Sequence, residues 1–143
     1  MPYIYLIAPA IAGLIAQLSK IFIPSNRLVW SWKNLIAYSG MPSSHAAITV
    51  SLTALIAIKL GLDSPLLAVS ALFSFLALRD ALGIRRYIGK QGKAINELVE
   101  DLKEDDYLDD RYPSMIEKVG HTPRQIAAGT IIGLIVAIAA SLI

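Results

Sequence analysis

Four stretches of the chain carry no charge: residues 1–19, 34–58, 64–78 and 125–143. The apolar part of the second starts near Ala46, and the third extends to Ile84 if Arg79 and Asp80 are taken in. A membrane-spanning helix needs about 20 apolar residues, with a range of roughly 17–25. The first, second and fourth stretches reach that length, and the third does so by including its charged pair. The pattern predicts four spans in a single membrane domain covering 1–143, at 3–23, 44–60, 65–84 and 122–142. Gly61-Leu62-Asp63-Ser64-Pro65 joins the second and third as a tight turn, a glycine stop followed by a proline restart. The first stretch has no basic leader and no small-residue cleavage site before a polar domain, so a retained span is expected rather than a signal peptide.

The connections differ in kind. Between the first two spans, Trp30, Trp32 and Tyr38 have the character of interface anchors. The polar connection 85–121 separates the last two. Within 84–103, Ile88, Ile95, Leu98, Val99 and Leu102 recur among charges, a spacing that suits an amphipathic helix on the membrane or on the bundle. An acidic run follows, Glu104-Asp105-Asp106 and Asp109-Asp110, and reads as a solvated loop in preference to a metal site. The expected class is all-α: a polytopic membrane four-helix bundle with a cytoplasmic amphipathic helix and loop between spans three and four. A soluble bundle with long buried helices is the competing architecture.

Composition agrees with the membrane reading. Of 143 residues 55% are apolar and 17% charged, where a soluble domain carries about 25% charge. An apolar chain of low net charge is not disordered. The absence of cysteine excludes a disulfide-stapled module, and a net charge of +2 gives no reason to expect nucleic acid. Of the thirteen Lys and Arg residues, only Lys59 lies near the turn between spans two and three. The other twelve fall toward the opposite end of the bundle. The positive-inside rule then places both termini outside and the long loops in the cytoplasm.

The reactive side chains gather at that basic end. Lys20 closes the first span, and Pro42-Ser43-Ser44-His45 opens the second. Arg79, Asp80, Arg85 and Arg86 close the third, and Gly120-His121-Thr122-Pro123 opens the fourth. Helix N-termini offer free amides and a positive dipole end, and with basic side chains they suit phosphate. The two histidines of the chain, His45 and His121, both begin spans there. Flanking a phosphate, one would attack phosphorus and the other would protonate the leaving oxygen. Each would otherwise be an interfacial cap. Asp80 needs a partner at the end of a span, and an ion pair with Arg85 is as good a reading as a catalytic role. Lys33 and Lys90 read as headgroup contacts. Gly129-x3-Gly133 permits close helix packing, within the bundle or between two protomers of a homodimer.

Gly40-Met41-Pro42-Ser43-Ser44-His45 resembles the Pro-Ser-Gly-His motif of the type 2 phosphatidic acid phosphatase superfamily, which includes the vanadium haloperoxidases. With Asp80-x-x-Gly83-x-Arg85-Arg86 and Gly120-His121-x-Pro123, it more closely resembles the divergent bacterial and plant branch of small membrane proteins. The likeness covers nearly the whole chain. Lys20 and Arg27 have the spacing of the first superfamily motif, with Leu28 in place of its proline. Ser44 stands in the glycine place of the second. His121 and Gln125 resemble the end of the third, with glutamine in place of aspartate and Met115 in place of an arginine.

The resemblance implies a phosphatase that acts on a membrane lipid phosphate, a phospholipid or an isoprenyl phosphate, in the bacterial cytoplasmic membrane, and the positive-inside reading of the basic end puts its site on the cytoplasmic side. It implies His121 as the nucleophile that forms a phosphohistidine and His45 as the acid. Lys20, Arg27 and one of Arg85 or Arg86 would clamp the phosphoryl oxygens, with Ser43, Ser44 and nearby amides completing the cradle. No metal and no cofactor enters this scheme. Gln125 would orient His121 without supplying charge, so Asp80 or Glu117 would have to supply it, or activity would be low. A non-catalytic binder, transporter or scaffold for anionic lipid or polyprenyl phosphate is the alternative. A subunit docking a soluble partner through 104–110 is a third.

Overall fold

The computed structural model describes residues 3–23, 39–104, 112, 114–117 and 119–143. Trp30, Trp32, Tyr38, Arg27, Lys33 and most of the acidic run lie outside the described residues. The described chain is all-helical. Helix α1 (Ile4–Ser19) runs into a single 3-10 turn, Lys20–Phe22. Helices α2 (Ser44–Leu60), α3 (Pro65–Leu82), α4 (Ile84–Glu104) and α5 (Pro123–Ser141) follow.

Local chemistry sets the boundaries. Ser43 caps α2, its hydroxyl accepting from the Ala46 amide at 3.4 Å. Gly61 ends α2 with φ at +82°, a conformation that costs a side-chain-bearing residue steric energy. Pro65 then starts α3, where a missing N–H costs nothing. Thr122 caps α5 through a reciprocal capping box with Gln125.

Helix α2 is the centre, packed against α1, α3 and α5, with α1 also against α5. The interior is built from small residues. Ala8, Ala12 and Ala16 of α1 recur every fourth position and are buried against Ala47, Leu55, Ala137 and Ala140. A β-carbon on Gly129 would stand 2.2 Å from the Ser43 carbonyl, and one on Gly133 2.7 Å from that of Ala47. Gly129-x3-Gly133 therefore serves contact within the bundle, seating α5 on α2. In lipid, where burial of apolar surface does not drive helices together, such close backbone approach and interhelical hydrogen bonds replace it. Ser74 of α3 donates to the Thr49 carbonyl of α2 at 3.1 Å and lies 2.8 Å from the Thr53 hydroxyl.

Three helical segments are long and apolar enough to cross a membrane, and the 17-residue α2 sits at the lower limit. Leu6, Leu66, Leu72, Phe73, Ile131 and Ile135 point outward from the helix faces. That much exposed apolar surface suits acyl chains as its solvent. The chain is an integral membrane protein. Helix α4 leaves α3 at Gly83, and its main helix contact is with α3. Its apolar Ile84 and Ile88 are 67% and 50% exposed. The bundle does not cover that end of the helix.

Candidate functional site

The basic end gathers groups from every helix. Lys20, just past α1, is 1% exposed. Ser43 and His45 stand at the start of α2, and His121 sits one residue before the cap of α5. The His45 and His121 rings lie 5.8 Å apart between centroids, tilted by 60°. Lys20, Asp80 and Arg85 are close enough to His45 to act on its charge, and Lys20 and His45 act on that of His121.

Backbone bonds lock this arrangement. The His121 amide donates to the Ala81 carbonyl and the Ser43 amide to that of Gln125, both at 2.9 Å. Thus α3 holds one histidine and α5 holds the cap of the helix that carries the other. Gly120 makes the turn into His121 at φ +84°, and a β-carbon there would meet the Arg86 amide nitrogen at 2.7 Å.

Gln125 decides the tautomer of His121. Its Oε1 accepts from the Thr122 amide at 3.0 Å, so that position is an oxygen and not the amide nitrogen. The same oxygen lies 3.2 Å from His121 Nδ1. An oxygen can only accept there, so Nδ1 carries the hydrogen and Nε2 carries the lone pair. Nε2 is buried and makes no hydrogen bond of ordinary geometry among the described residues, and neither does Nδ1 of His45. Burial holds the His121 imidazole well below its usual value, at about 4. The Gln125 bond opposes the shift, Lys20 and His45 add to it, and the Gly40 carbonyl opposes it.

Several site residues take definite places. Gln125 itself meets His121, and neither Asp80 nor Glu117 supplies a charge to Nδ1. Asp80 is ion-paired with Arg85 Nε, and Glu117 accepts from Asn96 at 2.8 Å. The consecutive arginines part company, because neighbours on a helix point about 100° apart. Arg85 turns to Asp80 and His45, whereas Arg86 lines a separate cleft of about 330 Å³ that also reaches His121 and Gln125. Ser44 is half-buried at the first turn of α2. Among the described residues, no three His, Asp or Glu side chains group to hold a metal.

Sequence reading missed part of this cleft. Lys90, read there as a headgroup contact, and Lys93 line it with Arg86. Their spacing of i, i+4 and i+7 was the available signal, since it puts all three on one helix face. It also missed Asn96. This side chain donates to the Met115 carbonyl at 3.0 Å and accepts from the Met115 amide at 2.7 Å. Gly89 and Gly92 let residues 115–117 and 119 lie directly on α4, where added β-carbons would stand 2.5 Å from the Glu117 carbonyl and 2.8 Å from that of Ile116. Residues 114–117, 119 and 120 thus form a strap, fastened to α4, that delivers His121. Asn96→Ala is expected to speed limited proteolysis within the strap while the melting temperature of the bundle barely moves. An unchanged cleavage rate would show that the strap is held by other contacts.

The sequence profile of the divergent PAP2 family matches residues 3–136. The chain is 35% identical over 142 residues to the uncharacterized membrane protein YuiD of Bacillus subtilis (strain 168), covering 91% of this chain and 89% of the relative. No solved structure matches it.

Proposed function

The chain belongs to the divergent PAP2 family, and on that premise we propose that it is a phosphatase acting on a membrane lipid phosphate through a phosphohistidine. The observation that carries this reading is the state of His121: Nδ1 bound to Gln125, and a buried Nε2 lone pair beside a second histidine. Two groups that each approach a phosphoryl unit between them to about 3 Å stand roughly 6 Å apart. The two ring centroids are 5.8 Å apart, so the second histidine is a direct neighbour of the first.

In this reading Nε2 attacks phosphorus and the ester P–O bond breaks. His45, in its protonated form, gives its proton to the leaving alcohol oxygen. Water then attacks the phosphohistidine, His45 takes the water's proton, and phosphate leaves with Nε2 restored. Lys20, Arg85 and the free amides at the start of α2 stabilise the charge on the phosphoryl oxygens. Asp80 acts through Arg85 by fixing its guanidinium. Ser43, its oxygen accepting within the cap, keeps its O–H to donate. Arg27, outside the described residues, joins the clamp. The lipid would be a phospholipid or an isoprenyl phosphate, reached from the cytoplasmic side.

The test is phosphate release from lipid phosphates by the purified protein in detergent, with orthovanadate as competitor. Release is expected to need both His45 and His121, and turnover that survives alanine at both would overturn the mechanism. Gln125→Leu removes the acceptor that fixes the tautomer. It is expected to lower kcat about 10²-fold or more with little change in KM, by analogy with wrong-tautomer variants of other histidine enzymes. Gln125→Glu should retain far more. Equal activity in the leucine and glutamate variants would show that the bond does not matter.

The uncharged Gln125 supports a second reading, a binder of lipid phosphate that does not turn it over. A phosphate complex that needs Lys20 and Arg85, with no release of phosphate, would favour it.

A further inference from the structure

We propose that the cleft between α4 and the strap is a second anion subsite, in which Arg86, Lys90 and Lys93 hold a phosphate group other than the one between the histidines. This rests on reading the histidine pair as a phosphate site. The parting of Arg85 and Arg86 is the starting point. One pairs with Asp80 beside His45, and the other opens onto a distinct cleft of about 330 Å³, within the size range of small-ligand pockets. His121 and Gln125 stand in the wall of that cleft, so a group held there lies next to the reacting one.

The charge in the cleft favours an anion. Arg86, Lys90 and Lys93 face Glu117 alone among the acidic lining residues. The Glu117 carboxylate bonds to Asn96. Lys93 pairs with Glu97 at 3.3 Å, an exposed contact four residues along the helix, and such pairs exchange readily for a better partner. Gly89 and Gly120 also line the cleft, and their missing β-carbons let α4 and the strap close its floor. The ligand chemistry is therefore a second phosphate at the membrane surface. It comes either from the same molecule as the reacting phosphate or from the headgroup of a neighbouring lipid.

Binding of pyrophosphate and orthophosphate to the full-length protein in a neutral detergent tests this. The wild type is expected to bind pyrophosphate about tenfold or more tightly, as one added charge-assisted contact would give. In Lys90→Gln/Lys93→Gln that ratio should fall toward one. Lys59→Gln, at the far end of α2, loses charge without touching the cleft and should keep the ratio. A ratio near one in the wild type, or an equal ratio in the double variant, would overturn the subsite. Adding phosphatidylglycerol to the micelles separates the sources. Loss of the pyrophosphate preference then identifies the lipid headgroup as occupant, and its persistence identifies a second phosphate on one molecule. If no phosphate ester is hydrolysed yet the ratio still depends on Lys90 and Lys93, the subsite stands and the catalytic reading fails.

Discussion

Replacing His121 by alanine should lower phosphate release from a lipid phosphate by about 10³-fold or more, the usual cost of removing a nucleophile. The ring is 2% exposed and its amide is bonded to the Ala81 carbonyl, a backbone contact that alanine keeps. The loss should therefore be chemical, with the helical content retained. A phosphorylated protein intermediate, stable to base and labile to acid, should be trapped from the wild type and absent from the variant. Its presence in the variant would move the nucleophile elsewhere.

The acidity of His121 adds a pH signature. Its folded pKa is about 4, below the unfolded value of about 6.5. The folded protein therefore disfavours the proton that the unfolded chain accepts. The stabilisation is complete above about pH 6.5 and is lost as pH falls from there toward 4. The nucleophile is neutral throughout the neutral range, so the acid limb of kcat/KM contributed by His121 should fall near pH 4. A limb near 6.5 that disappears in a His121 variant would contradict the burial.

The second large effect belongs to Gly129. Gly129→Ala places a β-carbon 2.2 Å from the Ser43 carbonyl and 3.0 Å from the Ala46 methyl. Backbone cannot yield as a flexible side chain can, so α5 must move off α2. The cost is about 1–3 kcal/mol. The same shift strains the bond from the Ser43 amide to the Gln125 carbonyl, which joins the two histidine-bearing segments. Activity should fall together with stability. Ala127→Leu, larger but on the exposed face of the same helix, should leave the melting temperature nearly unchanged. If Gly129→Ala melts like wild type in detergent, the helix contact is looser than this geometry.

Much was legible from the residues in order. Length and apolarity mark out the helices, and Ser43, Gly61, Pro65, Thr122 and Pro123 mark their ends, because capping and backbone restriction act within a few residues. The gathering of His45, His121 and basic residues at one end followed from counting spans, since successive helices must reverse direction. The motif segments pointed to the family on the same local footing.

The sequence by itself determined what each helix is and which end of it is polar. It did not determine which face meets which neighbour. In α2, α3 and α5 apolar residues lie all around the helix, and lipid and protein interior are equally apolar, so composition carries no sign of rotation. Only the packing decided that Gly129 and Gly133 seat α5 on α2, that Gln125 rather than Asp80 or Glu117 meets His121, and that Arg85 and Arg86 serve different cavities. Those outcomes depend on β-carbons absent at glycines and on crossings that bring distant backbone within hydrogen-bond reach. Such contacts exist only once the helices are assembled.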